Sequence, residues 1–196
     1  MSKFLLSLLS LLTLLIAACA PADKPKFTYT DITGAAFARE LTLSDHHGKP
    51  RTLADFKGKV VIVSFGFTHC PDVCPTTLAT FAGVKQALAE KGKDLQVLFV
   101  TVDPERDTEA LLRQYVPAFD PSFLGLRGSL AQTKSAADEF KVVYQKSAGA
   151  SPSTYTVDHS TQSYVFDRQG RVRLLLPHQA PVAKITADLQ QLLQVR

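Results

Sequence analysis

Apolar residues along this chain alternate between two patterns, which predict strands and helices in turn. Residues 60–67 and 95–102 are near-continuous apolar runs rich in β-branched side chains, and such runs are typical of strands buried on both faces of a sheet. Each run is followed by apolar residues at helical spacing, first from Pro75 to a stop near Gly92 and then over residues 105–115. This alternation predicts helices packed on a sheet.

The flanking segments extend the same plan. Before the first buried strand, they predict a strand at 41–43 that runs into a turn. After the second helix, they predict a helix over 129–140, capped by Ser129 and with Leu130 facing the core, a short strand at 142–145 and an exposed loop at 147–156. The chain then continues with a predicted hairpin of strands 163–167 and 172–176 and a helix over 181–193. In this order the elements predict an α/β protein with a thioredoxin-like fold. Its central mixed β-sheet is flanked by helices, and a β-hairpin extension lies near the N-terminus.

The first eighteen residues have the pattern of an export signal. Lys3 supplies a positive charge, and residues 4–18 form an apolar run that is shorter than the roughly 20 residues of a spanning helix. Ile16-Ala17-Ala18 leads directly into Cys19, which resembles the bacterial lipobox, whose cysteine is acylated. We therefore expect lipidation at Cys19. The alternative is an ordinary secretory signal cleaved nearby, which leaves Cys19 as a free thiol.

Export divides the chain into three predicted parts. Residues 1–18 are the lipoprotein signal peptide, residues 19–26 form a lipid-anchored tether, and residues 27–196 form one domain without an internal linker or repeat. We expect the protein in the bacterial cell envelope, facing the periplasm and held to a membrane through its lipid, with the inner membrane favoured.

Composition and charge exclude several classes of protein. With 45% hydrophobic and 20% charged residues the chain has enough apolar material for a core, which excludes disorder. The net charge of +4 arises from 22 basic and 18 acidic residues without a Lys/Arg cluster, so no nucleic-acid partner is expected. Three cysteines are too few for a disulfide scaffold or a four-cysteine zinc site.

Apart from Cys19, the cysteines form one close pair, Cys70 and Cys74. The pair lies where the first buried strand ends and the next helix begins, and ligand sites in α/β sheets lie at such strand ends. The free N–H groups and the positive dipole end of a helix N-terminus favour a thiolate. In an exported protein this pair is either a redox dithiol or part of a soft-metal site. Three intervening residues instead of two weaken a general disulfide-reductase interpretation.

A third ligand would favour a metal site, and His159 is the candidate. It lies 85 residues beyond Cys74, in a predicted loop from which it can reach the helix end. Two thiolates and one imidazole suit copper, because thiolate selects Cu(I) and imidazole also accommodates Cu(II). The other histidines have simpler interpretations: His46 and His47 as solvated turn residues, His69 as pointing away from Cys70, and His178 as lying at the surface or near the site.

Three motifs follow one another along the chain. They are Gly66-Phe67-Thr68-His69-Cys70-Pro71-Asp72-Val73-Cys74-Pro75, then Val102-Asp103-Pro104-Glu105-Arg106-Asp107-Thr108, and finally Asp158-His159-Ser160-Thr161 followed by Tyr164-Val165-Phe166-Asp167. Together they resemble the Sco/SenC family, whose members are membrane-anchored, thioredoxin-fold proteins of cytochrome c oxidase assembly, and the resemblance runs from about Phe37 to the C-terminus. Within the second motif we expect Asp103-Pro104 to form a turn that caps the helix from Glu105.

The resemblance implies one copper ion, as Cu(I), Cu(II) or both, bound by Cys70, Cys74 and His159. It implies delivery to the dinuclear copper (CuA) site of cytochrome c oxidase subunit II, with other periplasmic copper chaperones or thiol reductases as further partners. Asp72 matches the family pattern, and we expect its carboxylate to assist docking or to tune the thiols. The lipobox replaces the transmembrane helix common in the family, and Phe67 stands where Tyr is often found.

Three functions remain open from the sequence. A copper metallochaperone uses the two thiols and the imidazole together. A thiol-disulfide oxidoreductase that reduces the subunit II cysteines before metallation uses Cys70 and Cys74 as a redox dithiol and does not need His159 as a ligand. A peroxidase of the peroxiredoxin type fits the fold class, but only the thiol pair supports it.

Overall fold

The structure is a computed structural model that describes residues 25–149 and 154–194. The predicted signal peptide, the lipidation of Cys19 and most of the predicted tether lie outside these residues, so they stay predictions. Within the two described ranges, no helix has the length and hydropathy needed to cross a bilayer.

An eight-stranded mixed sheet forms the centre of the described chain. Its strands are β1 (Thr30–Asp31), β2 (Thr42–Asp45), β3 (Pro50–Thr52), β4 (Val60–Gly66), β5 (Leu95–Thr101), β6 (Leu124–Arg127), β9 (Ser163–Phe166) and β10 (Val172–Leu176). Their spatial order is β1-β10-β9-β4-β5-β6-β2-β3, and among these described strands only the β4–β5 and β5–β6 pairs are parallel. The mixed sheet and the N-terminal hairpin of β2 and β3 confirm the predicted architecture.

The two central strands are buried along their whole length. Every residue of β4 and β5 is shielded from solvent, as expected for apolar strands covered on both faces. Their parallel register pairs Val60 with Leu95 at one end and Gly66 with Thr101 at the other. Both strands therefore end at the same edge of the sheet, which is the edge that carries the cysteine pair.

In the part of the chain that the structure describes, four α-helices flank the sheet, namely α1 (Val73–Ala87), α2 (Glu109–Tyr115), α3 (Leu130–Glu139) and α4 (Val182–Gln194). Helices α1 and α4 pack against each other, and α4 also packs on β4. The predicted cap of α3 is confirmed, because the Ser129 side chain accepts a hydrogen bond from the backbone N–H of Gln132. The Gln132 side-chain oxygen in turn accepts a hydrogen bond from the backbone N–H of Ser129. Helix α1 begins two residues before the predicted Pro75.

A separate two-stranded sheet carries His159. Strands β7 (Tyr144–Ser147) and β8 (Thr156–His159) pair in antiparallel fashion, with Tyr144 opposite His159. The exposed loop predicted for 147–156 is thus partly strand, and His159 ends a strand instead of lying in a loop. Alternation along β8 is too short to be recognised from sequence, since only four residues belong to it.

Three further expectations were wrong in detail. Helix α2 begins at Glu109 and not at Glu105, because the Thr108 side chain caps it and residues 103–107 form a turn instead. Strand β6 was not predicted, and the strand expected at 142–145 starts at Tyr144. Leu130 was expected to face the core, yet it is 53% exposed at the first position of α3.

Phe140, which follows α3, lies at the centre of an aromatic cluster beneath the sheet. Its ring is fully buried and lies 5.2 Å from Phe65, 5.1 Å from Tyr164 and 6.1 Å from Phe166, measured between ring centroids. Its backbone carbonyl also accepts a hydrogen bond from the Tyr164 hydroxyl. Phe140 therefore joins the end of α3 to β4 and β9.

Replacement of Phe140 by Ala should leave a cavity in this cluster and lower the free energy of unfolding by about 3–5 kcal/mol. Urea denaturation followed by circular dichroism measures the change. Leu130→Ala on the same helix is the matched control, since its exposed side chain should change stability by less than about 0.5 kcal/mol. Equal losses for the two variants would contradict this account of the core.

Candidate metal centre

Cys70 and Cys74 lie on either side of the start of α1. Residues 67–72, here called the cysteine loop, connect β4 to α1, and the turn is closed by a hydrogen bond of 3.2 Å from Cys70 N to Phe67 O. The Cys70 sulfur accepts a hydrogen bond from the backbone N–H of Cys74 at 3.4 Å. Both thiols are free, so this conformation presents the reduced dithiol.

Cys74 is buried against the end of β4. A Cβ atom at Gly66 would lie 2.6 Å from the Cys74 sulfur and 2.7 Å from the Phe99 ring, so only glycine leaves room for this sulfur. Burial raises the pKa of the Cys74 thiol far above its ordinary value, and the nearby Cys70 sulfur raises it further. Without a metal, Cys74 is therefore a neutral thiol.

His159 meets the buried thiol from the β7–β8 sheet. Its Nε2 lies 3.8 Å from the Cys74 sulfur, and its ring packs edge-on against Phe67 with 5.8 Å between centroids. The other ring nitrogen, Nδ1, lies 3.0 Å from the Val157 carbonyl. Because a carbonyl only accepts, Nδ1 carries the proton and Nε2 keeps a lone pair that faces the sulfur.

The spacing of these atoms fits a metal ion between two of the three predicted ligands. Metal–sulfur and metal–nitrogen bonds of about 2.3 and 2.0 Å together exceed the 3.8 Å between Cys74 Sγ and His159 Nε2, so one ion can contact both. Within residues 25–149 and 154–194, however, no three His, Cys, Asp or Glu side chains are already gathered at metal-binding distance. The structure therefore brings Cys74 and His159 together, while the Cys70 sulfur remains hydrogen-bonded to the backbone N–H of Cys74 at the start of α1.

A buried carboxylate fixes the cysteine loop to the sheet. Asp107 accepts hydrogen bonds from Thr68 N at 3.0 Å, from the Thr68 hydroxyl at 2.6 Å and from the Thr101 hydroxyl at 2.6 Å. Its side chain is completely buried, and all three donors satisfy it. Sequence reasoning placed Asp107 in a motif but gave it no role, because nothing in the sequence indicates that Thr68 and Thr101 are neighbours.

The remaining candidates near the cysteines make other contacts. His69 is exposed, and its Nδ1 lies 3.0 Å from the Thr68 hydroxyl and 3.7 Å from Asp107, as expected for a side chain turned away from Cys70. His178 contacts the hydroxyl of Thr77 on α1 at 3.1 Å. Asp72 is exposed and accepts hydrogen bonds from Thr76, which places its carboxylate at the start of α1 rather than on a thiol.

Two expectations about polar side chains were wrong. His46 is buried, not solvated, because its Nδ1 accepts a hydrogen bond of 3.0 Å from Gly125 N and its Nε2 lies 3.0 Å from His47 Nε2. Asp103 and Pro104 form the expected turn, but Asp103 does not cap a helix that begins at Glu105. Asp103 is fully buried and binds Arg106, which is near in sequence, and the Tyr155 hydroxyl, which is 52 residues away.

The sheet order, the helix after β4 and the cysteine loop define a thioredoxin-like protein with a candidate soft-metal centre at the strand edge. The SCO1/SenC family model matches residues 30–194. The chain therefore belongs to the SCO1/SenC family, and the fold class and family expected from the sequence are confirmed.

Individual relatives agree with this assignment. The mitochondrial SCO2 homolog of Bos taurus is 43% identical over 133 residues, which cover 67% of this chain and 50% of that protein. The chain thus spans about half the length of the first curated relatives it matches. Copper-bound ScoI from Bradyrhizobium japonicum is 35% identical with a TM-score of 0.73, covering 80% of this chain and 99% of that one. Apo Sco1 from Thermus thermophilus is 40% identical with a TM-score of 0.76, covering 87% and 99%.

Burial of Cys74 predicts unequal reactivity of the two thiols. In reduced protein at pH 8, Cys70 should react with iodoacetamide about tenfold faster than Cys74 or more, because Cys74 is shielded and held protonated. The Cys74 rate should keep rising above pH 9.0, the ordinary pKa of its thiol, since burial raises the pKa. Mass spectrometry of the two modified peptides measures both rates.

Cys70→Ser and Cys74→Ser are the matched variants, which leave only the slow or only the fast thiol of the pair. Equal rates in these variants, or a Cys74 rate that levels off below pH 8, would contradict the burial of the second sulfur.

Proposed function

We propose that this chain is a copper metallochaperone that binds one copper ion through Cys70, Cys74 and His159. The observation that carries the proposal is the 3.8 Å approach of the His159 Nε2 lone pair to the Cys74 sulfur, across 85 residues of sequence. A histidine that packs only for structure would not need its free nitrogen directed at a buried thiol. The copper bound in ScoI of Bradyrhizobium japonicum supports the same assignment.

Copper is the cargo of this site, and the protein side chains control its capture. Thiolate favours Cu(I), while the imidazole also accommodates Cu(II), so either oxidation state suits the set. Capture removes the proton of Cys74, whose pKa is raised by burial, and it draws the Cys70 sulfur away from Cys74 N. The half-exposed Cys70 is the ligand from which a partner can take the metal by stepwise exchange.

The recipient we propose is the CuA site of cytochrome c oxidase subunit II, which the family resemblance implies. Other periplasmic copper chaperones or thiol reductases would supply copper or keep the dithiol reduced. We also propose that Cys19 carries the lipid that holds the protein in the cell envelope, at the inner membrane where the oxidase lies. The protein should incorporate a metabolically labelled lipid, and the Cys19→Ser variant should not; this comparison tests the anchor.

Reduced protein titrated with Cu(I) under anaerobic conditions should bind one equivalent. His159→Ala should weaken binding by about tenfold or more, since even groups that only orient a metal ligand have effects of this size. The apparent affinity should rise by about tenfold per pH unit for each proton released, because copper displaces the Cys74 proton. Competition with a chelator of known affinity measures both effects.

His47→Ala is the control, because this exposed histidine contacts His46 and not the cysteines. It should bind copper as the wild type does. Unchanged stoichiometry and affinity in His159→Ala would remove His159 from the site, and a pH-independent affinity would contradict capture by a protonated thiol.

A thiol-disulfide oxidoreductase is the second candidate, favoured by the free, half-exposed Cys70 at the start of α1. Its thiolate would attack a disulfide of subunit II and form a mixed disulfide, and Cys74 would then release the reduced partner, leaving the chain oxidised. The raised pKa of Cys74 opposes this second step. Rapid exchange with an oxidised subunit II fragment that persists in His159→Ala would favour the oxidoreductase over the chaperone.

A further inference from the structure

The sheet that carries His159 is not part of the main sheet, so other contacts must fix its position. Among the described strands, β7 and β8 pair only with each other. Val157 on β8 is buried in the core, but the strand has no neighbour in the eight-stranded sheet that would fix its register against β4. His159 is joined through a short segment to Ser163 of β9, which pairs with Ser64 of β4, so the distance between His159 and Cys74 depends on that connection and on the side chains that join the β7–β8 sheet to the cysteine loop.

Arg106 makes the densest set of such contacts. Its guanidinium carbon lies 3.6 Å from the centre of the Tyr155 ring, and its Nη1 donates a hydrogen bond of 2.8 Å to the Tyr155 carbonyl. The Nε of Arg106 pairs with the buried Asp103 carboxylate, whose other oxygen accepts a hydrogen bond of 2.8 Å from the Tyr155 hydroxyl. Arg106 thus holds Tyr155, the residue that leads into β8, by its ring and its backbone, while Asp103 holds the Tyr155 hydroxyl.

The same guanidinium also faces the cysteine loop. It lies 5.7 Å from the centre of the Phe67 ring, and Phe67 packs edge-on against His159. The Phe67 carbonyl accepts the hydrogen bond from Cys70 N that closes the cysteine loop. Arg106 therefore bridges Phe67, at the base of the thiol pair, and Tyr155, which directly precedes the strand that carries His159.

Lys146 makes a second link between the β7–β8 hairpin and the segment that carries Arg106. Lys146 on β7 pairs with Glu105, next to Arg106 in the sequence, and its ammonium lies 4.7 Å from the centre of the Tyr155 ring. These groups are about half exposed, so their ion pair is screened by solvent. Arg106, with a side chain only 18% exposed, is the stronger attachment.

We propose that Arg106 is a positioning residue that holds His159 against Cys74 and so decides whether copper meets two ligands or three. The proposal rests on the metallochaperone function above, and it adds a control point outside the ligand set. The planar guanidinium matters because it contacts both aromatic rings and donates to Tyr155 and Asp103 at the same time, which a lysine cannot do. Its Nη2 is buried without a hydrogen-bond partner in the described chain. Burial of an unpaired donor costs free energy, and an apolar side chain that only filled the same space would avoid that cost.

Arg106→Met keeps the length of the side chain but removes the cation and its donors. In the reduced, metal-free protein, amide hydrogen exchange at residues 157–160 should accelerate about tenfold or more, while exchange in β4 and β5 stays unchanged. Cu(I) affinity of the same variant should fall about tenfold. Placed in the His159→Ala background, Arg106→Met should cause no further loss, because its effect passes through His159.

Arg113→Met is the matched control, since Arg113 donates to the His46 carbonyl away from the cysteines and should alter neither measurement. If Arg106→Met does not fold, Tyr155→Leu removes the stacked ring and should give the same two changes. Unaltered exchange at residues 157–160, or a loss of affinity that is equally large without His159, would overturn the proposal. Absence of copper binding by the wild type would instead refute the metallochaperone function, and the exchange result would still decide the role of Arg106.

Discussion

The parallel register of β4 and β5 is the constraint on which the site depends. It brings Gly66 and Thr101 side by side at one edge of the sheet, and Asp107 then ties the cysteine loop to that edge through Thr68 and Thr101. A buried carboxylate is stable only when its oxygens are satisfied, so this arrangement allows little movement. Loss of the register would remove both the donors of Asp107 and the space beside Gly66 that the Cys74 sulfur fills.

Burial of that sulfur sets the chemistry of the pair. A thiol that is neutral in the metal-free protein is protected from oxidants and alkylating agents, yet it becomes a strong ligand once a metal displaces its proton. Cys70, which is half exposed, is the sulfur that a partner or an oxidant reaches first. The two cysteines are therefore unequal, and this difference would suit the proposed carrier, because Cys74 would retain the metal while Cys70 exchanges.

Much of this could be predicted from the sequence because it is local. The buried strands were evident from continuous β-branched runs, and the cap of α3 from Ser129 directly before the helical pattern. The late start of α2 was missed because the Thr108 cap was not recognised, and the strand that ends at His159 was missed because only four residues belong to it. Asp103 is the clearest case, as its partner Tyr155 lies 52 residues away and no periodic pattern links the two.

The amino-acid sequence by itself determined the order of the central strands and the main helices, the family, and the identity of the three candidate ligands, because each is encoded in short patterns or motifs. Only the tertiary structure decided that Cys74 is buried and that the free nitrogen of His159 faces it. It also decided that Arg106 joins the cysteine loop to the β7–β8 sheet, which carries His159. Burial, pKa and ligand spacing depend on which atoms surround a side chain in space, and sequence separation does not report that.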